Sequence, residues 1–598
     1  MRRPGQEFLA AIRIEGSQAV DAKELVPGLA LNRARVGGRA LDPYQLSVDT
    51  DRIRAVYLRS GFFQATVTAR IDTEKRGDGS IAQTAVFTVV EGKRATTQVE
   101  IRGLPPEVDA AAARKLVALA DGAPFDYDVY DLAKEPLLTL VEDAGYPHAD
   151  ISAAVLADRE RAVAIARFEV LPGKRATFGE ITIEGVDGDL ARAVRGRLSI
   201  APGQPYSRSA MAASQREVYD LGRFASVRIE PDLERGNVVP VKIAVAATIR
   251  GDLRGGFGVG RDPVAWELRT RAAVTKILSG HPLWTLAADT RLAYQFRTDA
   301  EDGVRLRALA SAQRIELFRP YVRGEVEGSF DVLQLEAFTT VGPRARAGLT
   351  APLGAKWLQG RFGALIEYLE FSTVRVDAPT AEALNLVDHQ LRGAFELALD
   401  ADGRDDIAEP RTGWYASLRA TYGKLLDRDG SYLQLTPELR RSLPLPWRWV
   451  IALRARAGLL LGDVPVTERY YSGGASQHRG FADRRLSPTA VSTEDPPRPV
   501  VIGGTALVEA GGELRIPVYE GDVIGIGTHL FLDGGDVVSS RDELDVLNLH
   551  WATGVGVYVK LFGLKIRGGV GYRLNRTGPG NPQAGENFAF HVSVGDAY

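Results

Sequence analysis

The side chains best suited to proton transfer or metal binding in this chain are seven histidines and a group of four aspartates. The histidines are His148, His281, His389, His478, His529, His550 and His591. They are scattered, and no two have the helical spacing of metal ligands. The aspartates are Asp400, Asp402, Asp405 and Asp406. Their spacing departs from that of an EF-hand loop and Arg404 lies among them, which favours a turn over a calcium site.

Sequence motifs of enzymes are also missing. The chain contains no Gly-x-Ser-x-Gly elbow and no phosphate-binding loop. Its glycine runs, at residues 255–260 and 554–556, lie on strand patterns in which small residues face inward. We therefore predict no enzymatic activity, no bound metal and no cofactor.

Residues 248–598 consist of some sixteen short segments in which apolar and polar side chains alternate. In residues 284–297, one face carries Trp284, Leu286, Ala288, Thr290, Leu292, Tyr294 and Phe296. The opposite face carries Asp289, Arg291, Gln295 and Arg297. Successive side chains on a strand point to opposite faces, so one face of such a strand suits lipid and the other suits water.

The basic residues favour a membrane barrel over a soluble sandwich. In residues 447–461, Arg448, Arg454 and Arg456 oppose two tryptophans and four aliphatic side chains, and residues 564–574 repeat the pattern. A polar lumen accepts such charges, whereas a packed core rarely does. Charged residues make up 25% of the chain and the mean hydropathy is −0.11. Because no apolar run reaches the roughly 18 residues of a spanning helix, we predict an all-β, 16-stranded transmembrane barrel.

The first 247 residues contain a repeat with a spacing of 81 residues. Glu91-Gly-Lys-Arg-Ala-Thr96 recurs as Pro172-Gly-Lys-Arg-Ala-Thr177, and Gly122-Ala-Pro-Phe125 recurs as Gly203-Gln-Pro-Tyr206. Such repetition indicates tandem supersecondary units. Each unit reads strand, helix, helix, strand, strand, and the first contains strands at 8–15, 65–72 and 81–90 and a helix at 47–60.

The units are long enough to bury small cores of their own. We therefore predict three α+β domains at residues 1–96, 97–175 and 176–247, followed by the barrel at 248–598. This combination resembles the BamA/TamA superfamily of outer-membrane assembly factors, whose periplasmic POTRA domains have the same βααββ order. The resemblance covers nearly the whole chain. It implies a bacterial outer-membrane barrel with three POTRA-like domains in the periplasm.

Export to the outer membrane requires a signal peptide. The basic start Met1-Arg2-Arg3 is followed by Pro4-Gly5 and not by an apolar segment, so no signal peptide is visible in the sequence. The net charge of −2 favours no particular partner, and we expect no nucleic acid to bind.

Residues 468–482 carry the most specific part of the resemblance. This segment, Glu468-Arg-Tyr-Tyr-Ser-Gly-Gly-Ala-Ser-Gln-His-Arg-Gly-Phe-Ala482, resembles the family's extracellular loop that folds back into the lumen. The tip of that loop corresponds to Arg479, Gly480 and Phe481. The resemblance implies that Asp533, on the thirteenth barrel strand, receives the Arg479 guanidinium and that Phe531 packs beside it. Alternatively, Asp533 only caps a turn with the two glycines that follow it.

Three other segments are similar to parts of the family. Residues 402–414 resemble its periplasmic turn between the eighth and ninth barrel strands, and residues 276–281 resemble the turn between the second and third. The final segment, 590–598, resembles the C-terminal signal of outer-membrane barrels, except that Asp596 lies on the lipid face. Next to it, Gly595 either weakens the pairing of the last strand or marks only a bend.

Closure of the barrel requires its first strand, residues 250–261, to pair with its last, residues 589–598. If that pairing is weak, the seam can open sideways and expose a strand edge, to which an incoming barrel protein adds its own strand. The residues that we assign to this lateral seam are Gly256, Gly258, Val594, Gly595 and Tyr598.

The resemblance implies a factor that inserts or translocates client β-barrel proteins similar to autotransporters. The expected partners are unfolded outer-membrane clients, outer-membrane lipids and, because three repeats favour the TamA type, a periplasm-spanning or inner-membrane-anchored protein. Two alternatives remain open. One is a two-partner-secretion translocase, which usually has two such repeats and a helical plug. The other is a passive porin-like channel with periplasmic docking domains.

Overall fold

The computed structural model describes residues 3–261, 265–297, 302–386, 388–521, 523–562, 564–576 and 587–594. The chain forms two compact units, Met1–Thr248 and Ile249–Tyr598. Within the described ranges, none of the helices has the length and apolar character needed to cross a bilayer.

The N-terminal unit contains three similar repeats, each built on a three-stranded sheet. The first repeat comprises β1 (Glu7–Glu15), α1 (Ala22–Leu25), α2 (Ala30–Val36), α3 (Pro43–Arg59), β2 (Thr66–Lys75) and β3 (Ile81–Val90). The second comprises β4 (Thr96–Arg102), α4 (Ala110–Leu116), α5 (Tyr127–Leu132), α6 (Lys134–Asp143), β5 (Asp150–Asp158) and β6 (Val163–Leu171). The third comprises β7 (Thr177–Glu184), α7 (Gly188–Arg195), α8 (Arg208–Tyr219), β8 (Phe224–Pro231) and β9 (Val238–Ala247).

In each repeat the last strand lies at the centre of the sheet. It pairs in parallel with the first strand and antiparallel with the second, which leaves both of these strands at sheet edges, the second strands being β2, β5 and β8. The helices cover one face, as α3 illustrates: the Asp42 side chain accepts from the Tyr44 amide at its start, and Ile53 and Tyr57, four residues apart, are fully buried.

The sequence recurrences correspond to equivalent backbone contacts in successive repeats. The Phe125 amide donates to the Ala95 carbonyl (2.9 Å), and the Tyr206 amide donates to the Ala176 carbonyl (3.1 Å). Each contact ties a Gly-x-Pro-aromatic segment to the start of the first strand of its own repeat. Gly61 has a φ of +88°, and a side chain there would approach the Phe125 carbonyl oxygen to 2.9 Å, which explains a glycine where one repeat meets the next.

The second unit is a 16-stranded sheet in which consecutive strands pair antiparallel. Its first eight strands are β10 (Gly251–Arg261), β11 (Ala265–Ile277), β12 (Trp284–Arg297), β13 (Gly303–Arg314), β14 (Arg323–Gln334), β15 (Thr339–Leu353), β16 (Ala355–Ser372) and β17 (His389–Asp402), with α9 (Ala378–Ala383) before β17. The next three are β18 (Gly413–Leu425), β19 (Ser431–Pro444) and β20 (Val450–Gly462). A separate hairpin, β21 (Thr489–Val491) and β22 (Pro499–Val501), precedes β23 (Ala506–Glu520), β24 (Ile524–Val538), β25 (His550–Leu561), β26 (Leu564–Arg573) and β27 (Phe588–Val594).

Alternation gives the sheet an apolar outer face and a polar inner face. On β12, Leu292 and Phe296 are 45% and 50% exposed, whereas Gln295 between them is 2% exposed. Side chains from strands as far apart as β17 and β24 contact one loop, so the sheet curves around it. The predicted fold class, three α+β repeats followed by a 16-stranded barrel, is confirmed.

One predicted strand segment is wrong at its start. Trp447 and Arg448 lie in a 3-10 turn, Pro446–Arg448, and β20 begins only at Val450. Pro446 has no amide hydrogen to donate to a strand ladder, and both residues after it have positive φ. Arg448 therefore pairs with Glu520 at the barrel rim instead of facing the lumen.

Candidate functional site

The longest loop of the barrel, residues 463–505 between β20 and β23, folds into the lumen. Its tip residues Arg479 and Phe481 are 1% and 2% exposed. Gly473 and Gly474 shape the approach to the tip, because both have positive φ and a Cβ on Gly473 would lie 2.3 Å from the Ala482 carbonyl oxygen. The Gly474 amide then donates to the Phe481 carbonyl (2.9 Å) and closes the tip.

Arg479 is held by two carboxylates on the strands behind it. Its Nε and Nη2 donate to the two oxygens of Asp533 (2.8 and 2.7 Å), and its backbone amide donates to the same carboxylate (3.0 Å). Its Nη1 donates to Glu513 on β23. Because bidentate ion pairs fix the plane of a guanidinium, this arrangement defines both the position and the orientation of the tip.

The ionic cluster extends along the wall. Glu513 also accepts from Arg515 Nε (2.9 Å) and from Arg567 Nη2 on β26 (2.5 Å). The Arg479 guanidinium lies 3.9 Å from the centre of the Phe531 ring. A buried guanidinium or carboxylate without partners is costly, so the ionic side chains form one interdependent unit, which consists of Arg479, Glu513, Arg515, Asp533 and Arg567.

Phe481 and Gly480 dock the tip onto the last strands. Arg573 of β26 donates to the Gly480 carbonyl (2.8 Å) and lies 4.1 Å from the centre of the Phe481 ring. Gly571 provides the necessary space, because a Cβ there would lie 2.2 Å from the Arg479 carbonyl oxygen. The tip therefore covers the strands next to the C-terminus.

Sequence reasoning missed several members of this cluster. Glu513, Arg567 and Arg573 appear in the sequence only as polar residues on the inner face of their strands, and strand pairing with loop docking brings them to Arg479. Four of the seven histidines also gather here. His478 and His550 flank Phe481, with ring centres at 5.1 and 5.6 Å, and His529 and His591 flank Phe531, at 6.2 and 5.7 Å.

A second ionic contact fixes the stem of the loop on the opposite wall. Arg392 of β17 is 1% exposed and donates to Glu367 (2.5 Å) and to the Tyr432 hydroxyl (2.6 Å). Its remaining nitrogen lies 2.6 Å from Glu468, which belongs to the loop. The loop is thus attached to both sides of the lumen.

Each of the four aspartates at the turn between β17 and β18 makes a hydrogen bond or an ion pair within the protein. Asp402 binds Arg404 (2.6 Å), Asp405 accepts from the Thr412 amide (3.1 Å), and Asp406 accepts from the Glu409 amide (2.7 Å). Asp400, at the end of β17, accepts from the Tyr415 hydroxyl (2.6 Å). Among the residues that the structure describes, no three histidine, aspartate or glutamate side chains group as metal ligands.

The same turn reaches across one mouth of the barrel. Glu409 contacts Lys560 at 2.5 Å and Lys565 at 2.6 Å, on β25 and β26, more than 150 residues away. Burial alone raises the pKa of Glu409, but the hydrogen bonds and positive charges of the two lysines outweigh it and lower that pKa to about 2. We call residues 403–412 the mouth turn.

Three of the seam residues, Gly256, Gly258 and Val594, lie on the two strands at the ends of the sheet order, β10 and β27. Gly256 and Gly258 face Arg271 and Arg269 of β11, and Val594 pairs with Ile566 of β26. Gly595 and Tyr598, like Asp596, lie outside the described residues. Pairing of β10 with the last strand stays a prediction.

A family model described as the Omp85 superfamily domain matches residues 266–596, more than half of the chain. The chain belongs to the Omp85 superfamily. A second model, a POTRA family described as surface antigen variable number repeat, matches residues 8–92 and 176–247. The resemblance to the BamA/TamA superfamily is thereby confirmed, and an Omp85 barrel with POTRA repeats places this protein in the bacterial outer membrane with the repeats in the periplasm.

Several known proteins are similar to this chain. The outer membrane protein assembly factor BamA of Nitratidesulfovibrio vulgaris is 24% identical over 572 residues, which span 90% of this chain and 67% of that relative. BamA from Haemophilus ducreyi lacking POTRA domains 1–3 has the same fold, with a TM-score of 0.59, 18% identity, and coverage of 84% of this chain and 99% of that one. CdiB from Acinetobacter baumannii has a TM-score of 0.47 at 11% identity, covering 84% and 90%.

Membership in the Omp85 superfamily orients the site. The chain enters β10 from the periplasmic repeats and each strand reverses direction, so the mouth turn between β17 and β18 faces the periplasm. By the same count, the loop between β20 and β23 starts on the extracellular side and descends into the lumen. This Omp85 barrel therefore has ionic contacts that anchor the loop inside its lumen and another set at its periplasmic mouth.

Proposed function

We propose that this protein is an outer-membrane assembly factor that inserts client β-barrel proteins through a lateral seam between β10 and β27. The observation that carries the proposal is the composition of β10. Gly255, Gly256 and Gly258 contribute no side chains, and a Cβ at any of them would meet no atom within 4 Å. A strand with so little packing, at one end of the sheet order, is well suited to exchange partners.

The physical basis is edge pairing within the membrane. An opened seam exposes backbone donors and acceptors that lipid cannot satisfy, so a client strand that pairs with them gains hydrogen bonds. No nucleotide is required for this exchange. Similarity to a protein named as an outer membrane protein assembly factor, across 90% of this chain, supports the same role.

The buried loop tip supports the wall on the C-terminal side of the seam. Contacts of Arg479, Gly480 and Phe481 reach β23, β24 and β26, so they hold those strands while β10 is free to move. We propose that the Arg479–Asp533 pair acts as a structural strut for the C-terminal side of the seam, and that its release changes the seam conformation.

The periplasmic repeats supply further pairing edges. We propose that β2, β5 and β8, each at the edge of its sheet, bind extended segments of unfolded clients or of a periplasm-spanning partner. The clients are β-barrel proteins of the autotransporter kind, and outer-membrane lipids surround the outer face.

A disulfide lock tests the seam, and the chain contains no cysteine to interfere. Gly256→Cys and Ser593→Cys lie on the inner face of β10 and β27, so when combined and oxidised they should cross-link only if the two strands are adjacent. Insertion of a β-barrel client into proteoliposomes should be lost in the oxidised protein and return on reduction. Full insertion by the locked protein would exclude lateral opening.

A matched lock controls for the effect of oxidation itself. Ala401→Cys with Ala416→Cys joins two strands that are directly paired within the sheet, β17 and β18. This lock should leave client insertion intact. In planar bilayers, a large and steady conductance that Arg479→Ala leaves unchanged would instead favour the passive channel.

A further inference from the structure

The inner wall formed by β11, β12 and β13 carries arginines in an unfavourable arrangement. Arg271, Arg291 and Arg307 stand directly opposite one another on the three neighbouring strands. Adjacent strands lie about 4.8 Å apart, and like charges at directly opposed positions destabilise a sheet. A second row lies two residues away from the first: Arg269 of β11 and Arg305 of β13 both pair with Ala293 of β12, which lies between them.

The nearby carboxylates only partly neutralise this wall. Asp289 serves both Arg271 (2.5 Å) and Arg291 (2.8 Å), and Glu267 serves both Arg269 (2.6 Å) and Arg305 (3.1 Å). Arg307 has its carboxylate neighbours at 3.6 and 3.8 Å. The five arginines thus have four carboxylate neighbours, Glu267, Asp289, Glu327 and Asp331, which leaves an excess of one positive charge.

The guanidinium groups remain available to a ligand. The side chains of Arg269, Arg271 and Arg291 are 52% to 59% exposed, although they line the inside of the barrel. They border a cavity of about 810 Å³ that extends from β10 to β16 and to Thr467 at the stem of the loop. The cavity is large enough for several residues of polypeptide.

The cavity wall formed by β10 and β11 has a spacing that matches an extended polypeptide. Gly256 pairs with Arg271 and Gly258 pairs with Arg269, so a strip without side chains runs parallel to two arginines spaced two residues apart. An extended polypeptide has the same period, about 6.6 to 6.8 Å between alternate side chains. Acidic side chains at alternate positions would therefore meet both guanidinium groups.

We propose that this cavity binds an extended polypeptide segment with acidic side chains at alternate positions, its backbone along Gly256 and Gly258 and its carboxylates on Arg269 and Arg271. Arg291 and Arg305 add further donors, since charge-assisted hydrogen bonds to carboxylates are the strong ones. The identification of the segment as part of a client rests on the proposed function. The binding itself does not require client insertion.

The test uses the full chain in detergent and a short fluorescent peptide that alternates aspartate with threonine. Fluorescence anisotropy should show binding that weakens with added salt. A peptide with asparagine in place of aspartate should bind with an affinity at least about tenfold lower. Equal binding of the two peptides would overturn the proposal.

Two substitutions locate the site. Arg271→Gln with Arg291→Gln should weaken acidic-peptide binding by about tenfold. The control, Arg346→Gln with Arg361→Gln, removes two inner-wall arginines on β15 and β16 that bind Glu396 and Asp400 outside the cavity lining. It should leave affinity unchanged within about twofold. Unchanged affinity in the first pair, or an equal loss in the control, would place the peptide elsewhere and overturn the proposal.

A third variant keeps every arginine in place. Gly256→Asp introduces a carboxylate opposite Arg271 without a steric clash, so it should compete with the peptide and weaken its binding. Heat-modifiable electrophoretic mobility reports that each variant is folded. Unchanged peptide binding in folded Gly256→Asp would contradict the assigned backbone path.

Competition separates a polypeptide site from a phosphate site. Unlabelled acidic peptide should displace the labelled peptide at lower concentrations than glycerol phosphate, a soluble lipid head group. The reverse order would overturn the proposal in favour of a lipid-phosphate site. Peptide binding together with full client insertion by the disulfide-locked seam would refute the proposed function alone and leave this inference standing.

Discussion

The two sides of the barrel lumen carry similar charged residues in very different surroundings. On one side, Arg479 of the loop tip contacts Glu513 of β23 and Asp533 of β24, and none of the three side chains is more than 2% exposed. On β11 and β12, Arg271 and Arg291 share Asp289 while more than half of each arginine side chain remains exposed. The difference lies in the loop, because its tip excludes water from one wall and leaves the other open.

This contrast determines how much each ion pair contributes. A buried pair is costly to break, since the remaining partner is left charged in a poorly solvated place, whereas an exposed pair loses little. We infer that the ion pairs of the covered wall, on β23 to β26, keep the barrel rigid. The arginines of the open wall, on β11 and β12, remain available to bind a ligand. The predictions below test this division, from the largest expected effect to the smallest.

Removal of the Arg479 side chain should have the largest effect. Arg479→Ala leaves Glu513 and Asp533 without their shared partner and should lower stability by about 3 to 5 kcal/mol. The midpoint of thermal unfolding, followed by the loss of heat-modifiable mobility, measures the change. Protease cleavage within residues 463–505 should rise in parallel. Arg291→Ala on the open wall is the control and should cost no more than about 1 kcal/mol. Equal losses in the two variants would remove the distinction between the walls.

Overpacking beneath the tip should have an intermediate effect. Gly571→Ala places a Cβ 2.2 Å from the Arg479 carbonyl oxygen, so the tip must shift at a cost of about 1 to 3 kcal/mol. Gly568→Ala, on the same strand, adds a Cβ whose nearest neighbour is 4.0 Å away and should be nearly neutral. The same unfolding assay compares the two. If both variants have the same unfolding midpoint as the unmodified protein, the tip does not pack against β26 as described.

Loss of charge on the open wall should change ion permeation more than stability. Arg271→Gln with Arg291→Gln should shift the reversal potential in a salt gradient towards cation selectivity, because lumenal arginines attract anions. The unfolding midpoint should move by the equivalent of less than about 1 kcal/mol. An unchanged reversal potential with a large loss of stability would show that these arginines are structural.

The mouth turn should produce the smallest effect, and one that depends on pH. The pKa of Glu409 is lowered from 4.5 to about 2 in the folded protein, so its ion pairs with Lys560 and Lys565 stabilise fully above about 4.5 and lose their effect as the pH falls towards 2. The difference in unfolding midpoint between the unmodified protein and Glu409→Gln should be largest above about pH 4.5 and should shrink as the pH falls towards 2. Glu520→Gln, which removes a single exposed pair with Arg448, should have a smaller effect at neutral pH. A constant Glu409→Gln difference across the window would exclude a contribution from these ion pairs.

Much of the fold could be predicted because its signals are local. Alternation on β12 follows from the two-residue period of a strand, and the 81-residue recurrences mark equivalent contacts in successive repeats. The start of β20 could not be predicted by alternation alone, because Pro446 turns an apparent strand into a turn. At this position a single proline overrides the alternating pattern of the residues that follow it.

The candidate site was only partly predictable. The resemblance to a known family pointed to Arg479 and Asp533, and the structure places them in bidentate contact. Glu513 and Arg567 are separated by 54 residues and carry no shared motif. Nothing local in the sequence indicates that they share a contact, because only the order of strands around the barrel and the descent of the loop bring them together.

The sequence by itself determined the repeats, the strands and the face on which each side chain lies, because these depend on neighbours within a few residues. Only the tertiary structure decided which inner-face charges are buried and which remain open. That outcome depends on where a 43-residue loop, residues 463–505, folds within the lumen. Burial of the loop tip makes the Arg479 ion pairs a structural contact. The tip does not cover β11 and β12, where Arg271 and Arg291 remain exposed.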